Sequence, residues 1–113
     1  MKIVRDGIGN EELEGMAAAM FGDMVKAVID LDRGVMAVDA ELHADLEALL
    51  LQDGSKQGRL WGINLYPEKR AGDFIEYDSL INIRPSAGNR SRGVEDVKAR
   101  QGIADLVAKL VGR

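Results

Sequence analysis

The sequence predicts an α+β fold, in which an antiparallel sheet of two β-hairpins carries about three helices packed mainly on one face. Apolar residues at helical spacing recur in three separate stretches, which begin near Asn10, Leu42 and Val94. Between these stretches lie pairs of β-rich runs that are joined by turn residues, and such pairs are typical of hairpins. The predicted order is therefore short β, α, ββ, α, ββ, α. The alternative is a sheet with helices on both faces.

The first third of the chain predicts a short edge strand over residues 2–5 and then a helix. Asn10 is a favourable N-cap, and Glu11 and Glu12 suit the positive end of a helix. Gly22 fits the C′ position after the last turn. One face of this helix is formed by residues at the i, i+3, i+4, i+7 and i+8 positions, namely Leu13, Met16, Ala17, Met20 and Phe21.

The remaining elements follow from changes of period along the chain. Residues 24–31 and 35–38 flank Asp32-Arg33-Gly34, a loop that suits a hairpin with a bulge. A helix is predicted from about Leu42 until Asp53-Gly54. Residues 59–66 form the next predicted strand, and its hairpin partner begins at Phe74. The last helix is expected from about residue 94 to residue 111.

The stretch from Phe74 to Asp96 organises these predictions. Apolar and polar residues alternate from Ile75 to Arg84, which predicts a half-buried strand that ends at Pro85. The apolar parity of this strand and its neighbour predicts a shared core of Trp61, Leu65, Ile81 and Ile83. After Pro85 comes a basic loop rich in glycine and serine, which leads into the last helix.

Composition narrows the class of protein. A chain of 113 residues is expected to form one domain, residues 1–113, with a core of its own. The absence of cysteine rules out disulfides and Cys-ligated metals, and it fits a cytoplasmic protein. No apolar run is long enough to span a bilayer, and we expect no membrane partner. The net charge is −4 although residues 84–92 contribute +3, which disfavours nucleic acid as a partner but permits a local anion site.

Several segments together resemble a small uncharacterised prokaryotic protein family, a domain of unknown function. The resemblance covers nearly the whole chain and implies a single compact domain from a bacterium or archaeon. It implies no activity, cofactor or catalytic residue. The segments that carry it are Phe21-Gly22-Asp23-Met24-Val25-Lys26, Glu41-Leu42-His43-Ala44-Asp45, Gly54-Ser55-Lys56-Gln57, Leu60-Trp61-Gly62-Ile63-Asn64-Leu65-Tyr66-Pro67, Asn82-Ile83-Arg84-Pro85 and Gly88-Asn89-Arg90-Ser91.

The basic loop is the first candidate site, and it predicts a binding module for a small anionic ligand that bears phosphate or carboxylate. Arginine offers a planar fork of donors, and a glycine-rich loop before a helix offers backbone N–H groups. The competing account is that nearby acids, such as Glu76 or Glu95, already pair with the arginines and pin the loop. The candidate ligand-binding residues are Arg84, Ser86, Asn89, Arg90, Ser91 and Arg92, with Asn64 and Asn82 on the polar side of the hairpin.

Two alternatives remain open. A metal-dependent hydrolase would use Glu76, Asp78 or His43, and His43 would share a face with Glu41 and Asp45 only if that segment were extended. We expect a helix there instead, and one histidine without cysteine makes no closed structural metal site. The other alternative is a self-associating homo-oligomer. The sequence identifies neither a cofactor nor a catalytic residue.

Overall fold

An open, five-stranded antiparallel sheet forms the centre of the computed structural model, which describes residues 1–112. Its order is β1-β3-β2-β4-β5. The strands are β1 Lys2–Val4, β2 Val25–Asp30, β3 Val35–Val38, β4 Leu60–Leu65 and β5 Ile75–Glu76. The helices are α1 Asn10–Ala19, α2 His43–Gln52 and α3 Val97–Val111. The predicted α+β class, with an antiparallel sheet and three helices, is confirmed.

Helices cover both faces of the sheet, two on one face and one on the other. On the first face α1 and α3 contribute Leu13 and Ile103 to a cluster that includes Ile29 of β2. On the second face α2 places Leu46 and Leu50 in another cluster, against the strand residues of opposite parity. Both sides of β3 are therefore apolar, and every residue of β2 except Lys26 is buried, as expected for strands that are covered on both faces.

Turn chemistry agrees with the sequence at the first hairpin. Gly34 has a φ of +67°, and its N–H donates to Asp30 O at 3.0 Å, which closes the turn between β2 and β3. The N-cap prediction for Asn10 is wrong by one residue, because α1 already begins at Asn10 and the extended Gly9 precedes it. The Asn10 amide instead donates to Pro67 O at 3.0 Å.

The prediction of one continuous strand from Phe74 to Arg84 is wrong. Only Ile75–Glu76 pair with β4, and two 3-10 turns follow at Leu80–Asn82 and Pro85–Ala87. The alternation of apolar residues is present in the sequence, but the chain leaves the sheet after Glu76. Likewise, α3 begins at Val97 rather than near residue 94.

The core predicted around this strand is only partly confirmed. Leu65 is fully buried and Trp61 packs against the same cluster, on the face of α1 and α3. Ile81 packs instead against the α2 cluster on the opposite face, and Ile83 remains 40% exposed. The reason is that the 3-10 turn at Leu80–Asn82 breaks the period of two on which the prediction depended.

Candidate functional site

The segment from residue 77 to residue 96, here called the edge segment, follows β5 and lies along the open side of β4. It contains both short 3-10 turns and contributes little regular structure. Backbone N–H and C=O groups of a buried strand need partners. Side chains of the edge segment supply them where β5 ends.

Asn82 acts as a substitute for the missing strand. Its Oδ1 accepts the Gly62 N–H at 2.8 Å, and its Nδ2 donates to Gly62 O at 2.9 Å and to Arg92 O at 2.9 Å. One side-chain amide thus makes the two bonds that a neighbouring backbone would make. The close approach requires glycine at position 62, because a Cβ there would lie 2.5 Å from Ser79 Cβ.

Asn89 holds the second half of the edge segment. The buried amide donates to three backbone carbonyls, of which Asn82 O at 2.7 Å and Gly93 O at 2.8 Å are the shortest. Its Oδ1 accepts the Glu95 N–H at 2.9 Å. Asn82 and Asn89, two of the three asparagines that were candidates for ligand binding, are therefore fully engaged with backbone groups.

Acids of the same segment occupy the donors around Arg90, Ser91 and Arg92. The Glu95 Oε2 accepts the N–H groups of Arg90 at 2.7 Å and Ser91 at 2.8 Å. These N–H groups hold the pKa of the Glu95 carboxyl below its ordinary value of 4.5. Arg92 Nε pairs with Asp78 at 2.6 Å. Asp78 thus pairs with Arg92 as the competing account expects, whereas Glu95 pins the loop through backbone N–H groups, and the Arg90 guanidinium forms no salt bridge with residues 1–112.

Arg84 differs from the other two loop arginines. Its Nε donates to Ile81 O at 3.2 Å, a terminal nitrogen donates to Leu60 O, and the guanidinium lies 4.9 Å from the centroid of the Trp61 ring. No carboxylate among residues 1–112 forms a salt bridge with it. Burial lowers the pKa of the Arg84 guanidinium, and the more distant charge of Glu47 opposes this effect. Arg84 is thus a fixed, half-buried cation without a bonded counter-ion.

A cleft of about 500 Å³ lies beside this guanidinium. Its walls combine charged, polar and apolar groups. The charged and amide side chains are Arg84, Glu47 and Gln57, Ser86 adds a hydroxyl, and the apolar wall consists of Leu80, Ile81, Ile83, Pro85 and Ala87. Of the predicted ligand-binding residues, Arg84 and Ser86 line the cleft.

Asn64 belongs to a separate polar cluster beneath the start of α2. Its Nδ2 donates to Glu76 Oε1 at 2.8 Å, and the Tyr66 hydroxyl donates to the same oxygen at 3.0 Å. Burial, together with Glu76, raises the pKa of the Tyr66 hydroxyl to about 12. His43 Nε2 lies 2.8 Å from Ile63 O in this cluster.

The residues proposed for a metal-dependent hydrolase do not form a set of metal ligands in this arrangement. His43 is the first residue of α2 and is buried, whereas Glu41 and Asp45 are exposed. The Asp78 carboxylate forms a salt bridge with Arg92. Over residues 1–112, no group of three or more His, Asp or Glu side chains is arranged to hold a metal ion.

Sequence reasoning missed the cleft and the structural use of asparagine. Glu47 and Gln57 come from α2 and a 3-10 turn that are distant in sequence from Arg84, and no local pattern joins them. One signal was available. An isolated glycine inside a strand, as at Gly62, often marks the close approach of another group.

The fold and the edge segment define a small α+β protein, in which an open antiparallel sheet is covered on both faces and bordered by a loop held by buried amides. None of its helices, as far as residue 112, has the length and apolar character needed to cross a bilayer. The chain belongs to the family described as "Protein of unknown function (DUF5674)", whose model matches residues 2–110. Neither the curated proteins nor the solved structures contain a match.

Proposed function

We propose that the protein is a binding module for a small anionic ligand, whose phosphate or carboxylate group is held by Arg84 in the cleft beside the edge segment. The observation that carries this proposal is the half-buried Arg84 guanidinium, which lines an open cleft and has no carboxylate within salt-bridge distance among residues 1–112.

Charge and donor geometry support an anion at this point. A guanidinium has five N–H donors, and the bonds to Ile81 O and Leu60 O use two of them. Three donors remain on a group whose orientation is already fixed, so little side-chain entropy is lost on binding. A ligand anion would also offset the cost of holding the charge in a partly buried position.

The other cleft residues refine the class of ligand. Ser86 and Gln57 can donate to further oxygens of the same group, and Leu80 and Ile83 offer an apolar wall. Glu47 also lines the cleft and would repel a second anionic group. The proposed ligand therefore combines one anionic end with apolar surface, and it carries a hydrogen-bond donor near Glu47.

A thermal-shift screen of phosphate- and carboxylate-bearing compounds tests the proposal. A ligand present at 100 times its Kd stabilises the folded state by about 2.7 kcal/mol, which is a measurable rise in Tm. The best compound is then titrated by calorimetry into Arg84→Lys, which keeps the charge but loses the fork, and into Arg90→Lys as the matched control. Binding should weaken in Arg84→Lys only. Equal affinities in both variants and the wild type would contradict the assignment of Arg84.

Self-association is a second candidate, because Leu80 and Ile83 expose 67% and 40% of their surfaces on the same rim of the cleft. Light scattering over a range of protein concentrations would detect a homo-oligomer, and Leu80→Gln should reduce it. A constant monomer mass at all concentrations would rule this candidate out.

The cellular setting belongs to the same proposal. We place the protein in the cytoplasm of a prokaryote, on the basis of a sequence of 113 residues without cysteine and of the resemblance noted above. Cell fractionation of a source organism would test this setting.

A further inference from the structure

A buried histidine at the start of α2 contacts the strand residue that precedes an unpartnered buried acceptor, because His43 Nε2 lies 2.8 Å from the carbonyl of Ile63, next to Asn64. Within residues 1–112, Asn64 Oδ1 is the one buried side-chain oxygen or nitrogen that has no hydrogen-bond partner. Asn64 is only 5% exposed. Such a group costs free energy unless some state of the protein supplies it with a donor.

The backbone contact of His43 determines which ring nitrogen carries the proton. Nε2 lies 2.8 Å from Ile63 O, and a carbonyl oxygen can only accept. Nε2 is therefore the protonated nitrogen of the neutral ring, and Nδ1 presents a lone pair.

The orientation of the Asn64 amide follows from the same logic. Its nitrogen faces two acceptors, Glu76 Oε1 at 2.8 Å and Asp78 O at 3.3 Å. The amide oxygen is thereby turned away from both of them. The Asn64 side chain adjoins the His43 ring and favours its charged form. While the ring is neutral, the lone pair of Nδ1 has no proton to offer to this oxygen.

We propose that His43 and Asn64 form a pH-responsive contact that joins the start of α2 to β4. On acidification Nδ1 gains a proton and donates it in a hydrogen bond to Asn64 Oδ1, while Nε2 keeps its bond to Ile63 O. The histidine then ties the helix to the strand through two bonds, and the orphan acceptor is satisfied.

Charges from every neighbouring element act on this contact. Lys26 on β2 disfavours the imidazolium, and Asp78 beyond β5 favours it. Glu76 on β5 acts through its bond to Asn64, and Asp45 lies in the first turn of α2 itself. The positive end of the α2 dipole opposes a cation at the first helical residue. Burial is the largest effect, and it keeps the pKa of His43 below its ordinary value of 6.5, so the contact responds only below that pH.

Nuclear magnetic resonance of the wild-type chain tests the proposal directly. Long-range ¹H–¹⁵N spectra should show the Nε2–H tautomer at neutral pH and a doubly protonated ring in acid. The Asn64 side-chain resonances should titrate with the same midpoint as the ring. A neutral ring protonated on Nδ1, or Asn64 resonances that ignore the titration, would overturn the proposal.

Variants provide an independent arm. Asn64→Leu removes the acceptor and should lower the His43 pKa by about one unit or more, since a hydrogen bond to a charged group is strong. Tyr66→Phe is the matched control, because it removes a bond to the same Glu76 oxygen but leaves the Asn64 acceptor in place. An unchanged His43 pKa in folded Asn64→Leu would contradict the proposed bond. If that variant does not fold, the wild-type tautomer and the shared midpoint decide the question.

Discussion

Asn82 and Asn89 illustrate how a single amide can replace regular structure. An asparagine side chain offers an acceptor and two donors in one plane, as a peptide unit does. Asn82 uses them to continue the β4 ladder at Gly62, and Asn89 gathers three carbonyls of a loop that has no ladder of its own. Two buried amides thus hold the edge segment, together with Val94 and Ile81, which pack into the two apolar clusters.

Replacing Asn82 with alanine should destabilise the fold strongly. The change leaves the N–H and the carbonyl of Gly62 without this partner, whereas the Arg92 carbonyl keeps its bond from the Ser79 N–H, and each buried unsatisfied group costs about 1–3 kcal/mol. We expect a loss of about 3 kcal/mol or more in the free energy of unfolding, measured by urea denaturation. Ser86→Ala, at an exposed position, is the control and should change stability by less than about 0.5 kcal/mol. Equal stabilities of the two variants would show that Asn82 has no structural role.

The asparagines also mark where sequence reasoning reached its limit at the residue scale. Asparagine is a poor strand former, and the sequence analysis gave Asn64 and Asn82 only as candidates for ligand binding. Whether an amide faces a ligand or a backbone depends on which strand lies beside it. Sequence spacing carries no such information for pairs as far apart as Gly62 and Asn82.

At the scale of elements, local patterns predicted the helices and the first hairpin well. Turn glycines and helical periods are local properties of the chain, so their boundaries differ from the structure by only a few residues. The prediction of a long strand after Phe74 failed because an alternating sequence does not reveal whether a neighbouring strand is available to pair. Ile81 and Ile83 keep their period in sequence, but the 3-10 turn directs them to different surroundings.

A pair of glycine variants tests the contact between β4 and the edge segment. Gly62→Ala would place a Cβ 2.5 Å from Ser79 Cβ, so the edge segment must shift and bonds to Asn82 should be lost. A cost of about 1–3 kcal/mol is expected from such overpacking. Gly58→Ala is the matched control, because a Cβ there meets no atom within 4 Å. Calorimetric melting of both variants measures the difference. A Gly62→Ala protein as stable as Gly58→Ala would contradict the described contact.

At the scale of the whole molecule, the three helical patterns and the paired β-rich runs predicted the fold class but not the full distribution of helices. The sequence analysis favoured helices mainly on one face, with both faces as the alternative. Two helices do share a face, and α2 covers the other. Every residue of β3 is apolar, and such an uninterrupted apolar run is the sequence signal of a strand that is buried on both faces. The cleft beside Arg84 could not be predicted, because three separate elements form it.

Acid should destabilise the molecule in two stages. The folded-state pKa of His43 lies below 6.5, so the unfolded chain binds more protons as the pH falls from 6.5 toward that pKa, and stability declines across this window. Asp53, which pairs with Arg33 and Arg5, and Glu95 have lowered pKa values, so their contributions persist above about 4 and are lost in stronger acid. Urea midpoints between pH 3 and pH 8 should show both stages, and His43→Gln should remove the first. A decline that begins just below pH 6.5 and survives in His43→Gln would contradict its assignment to His43.

The most direct test of the central claim is a titration of the isotope-labelled protein with inorganic phosphate, followed through the arginine Nε–H resonances. The proposal predicts a saturable shift of the Arg84 resonance, with smaller changes at Arg90 and Arg92, because Arg84 alone of the three lines the cleft. Addition of sodium chloride to the same ionic strength is the control for general screening. A response centred on the N–H groups of Arg90 and Ser91, where phosphate would displace Glu95, would contradict the cleft as the site. The absence of any saturable response would contradict anion binding itself.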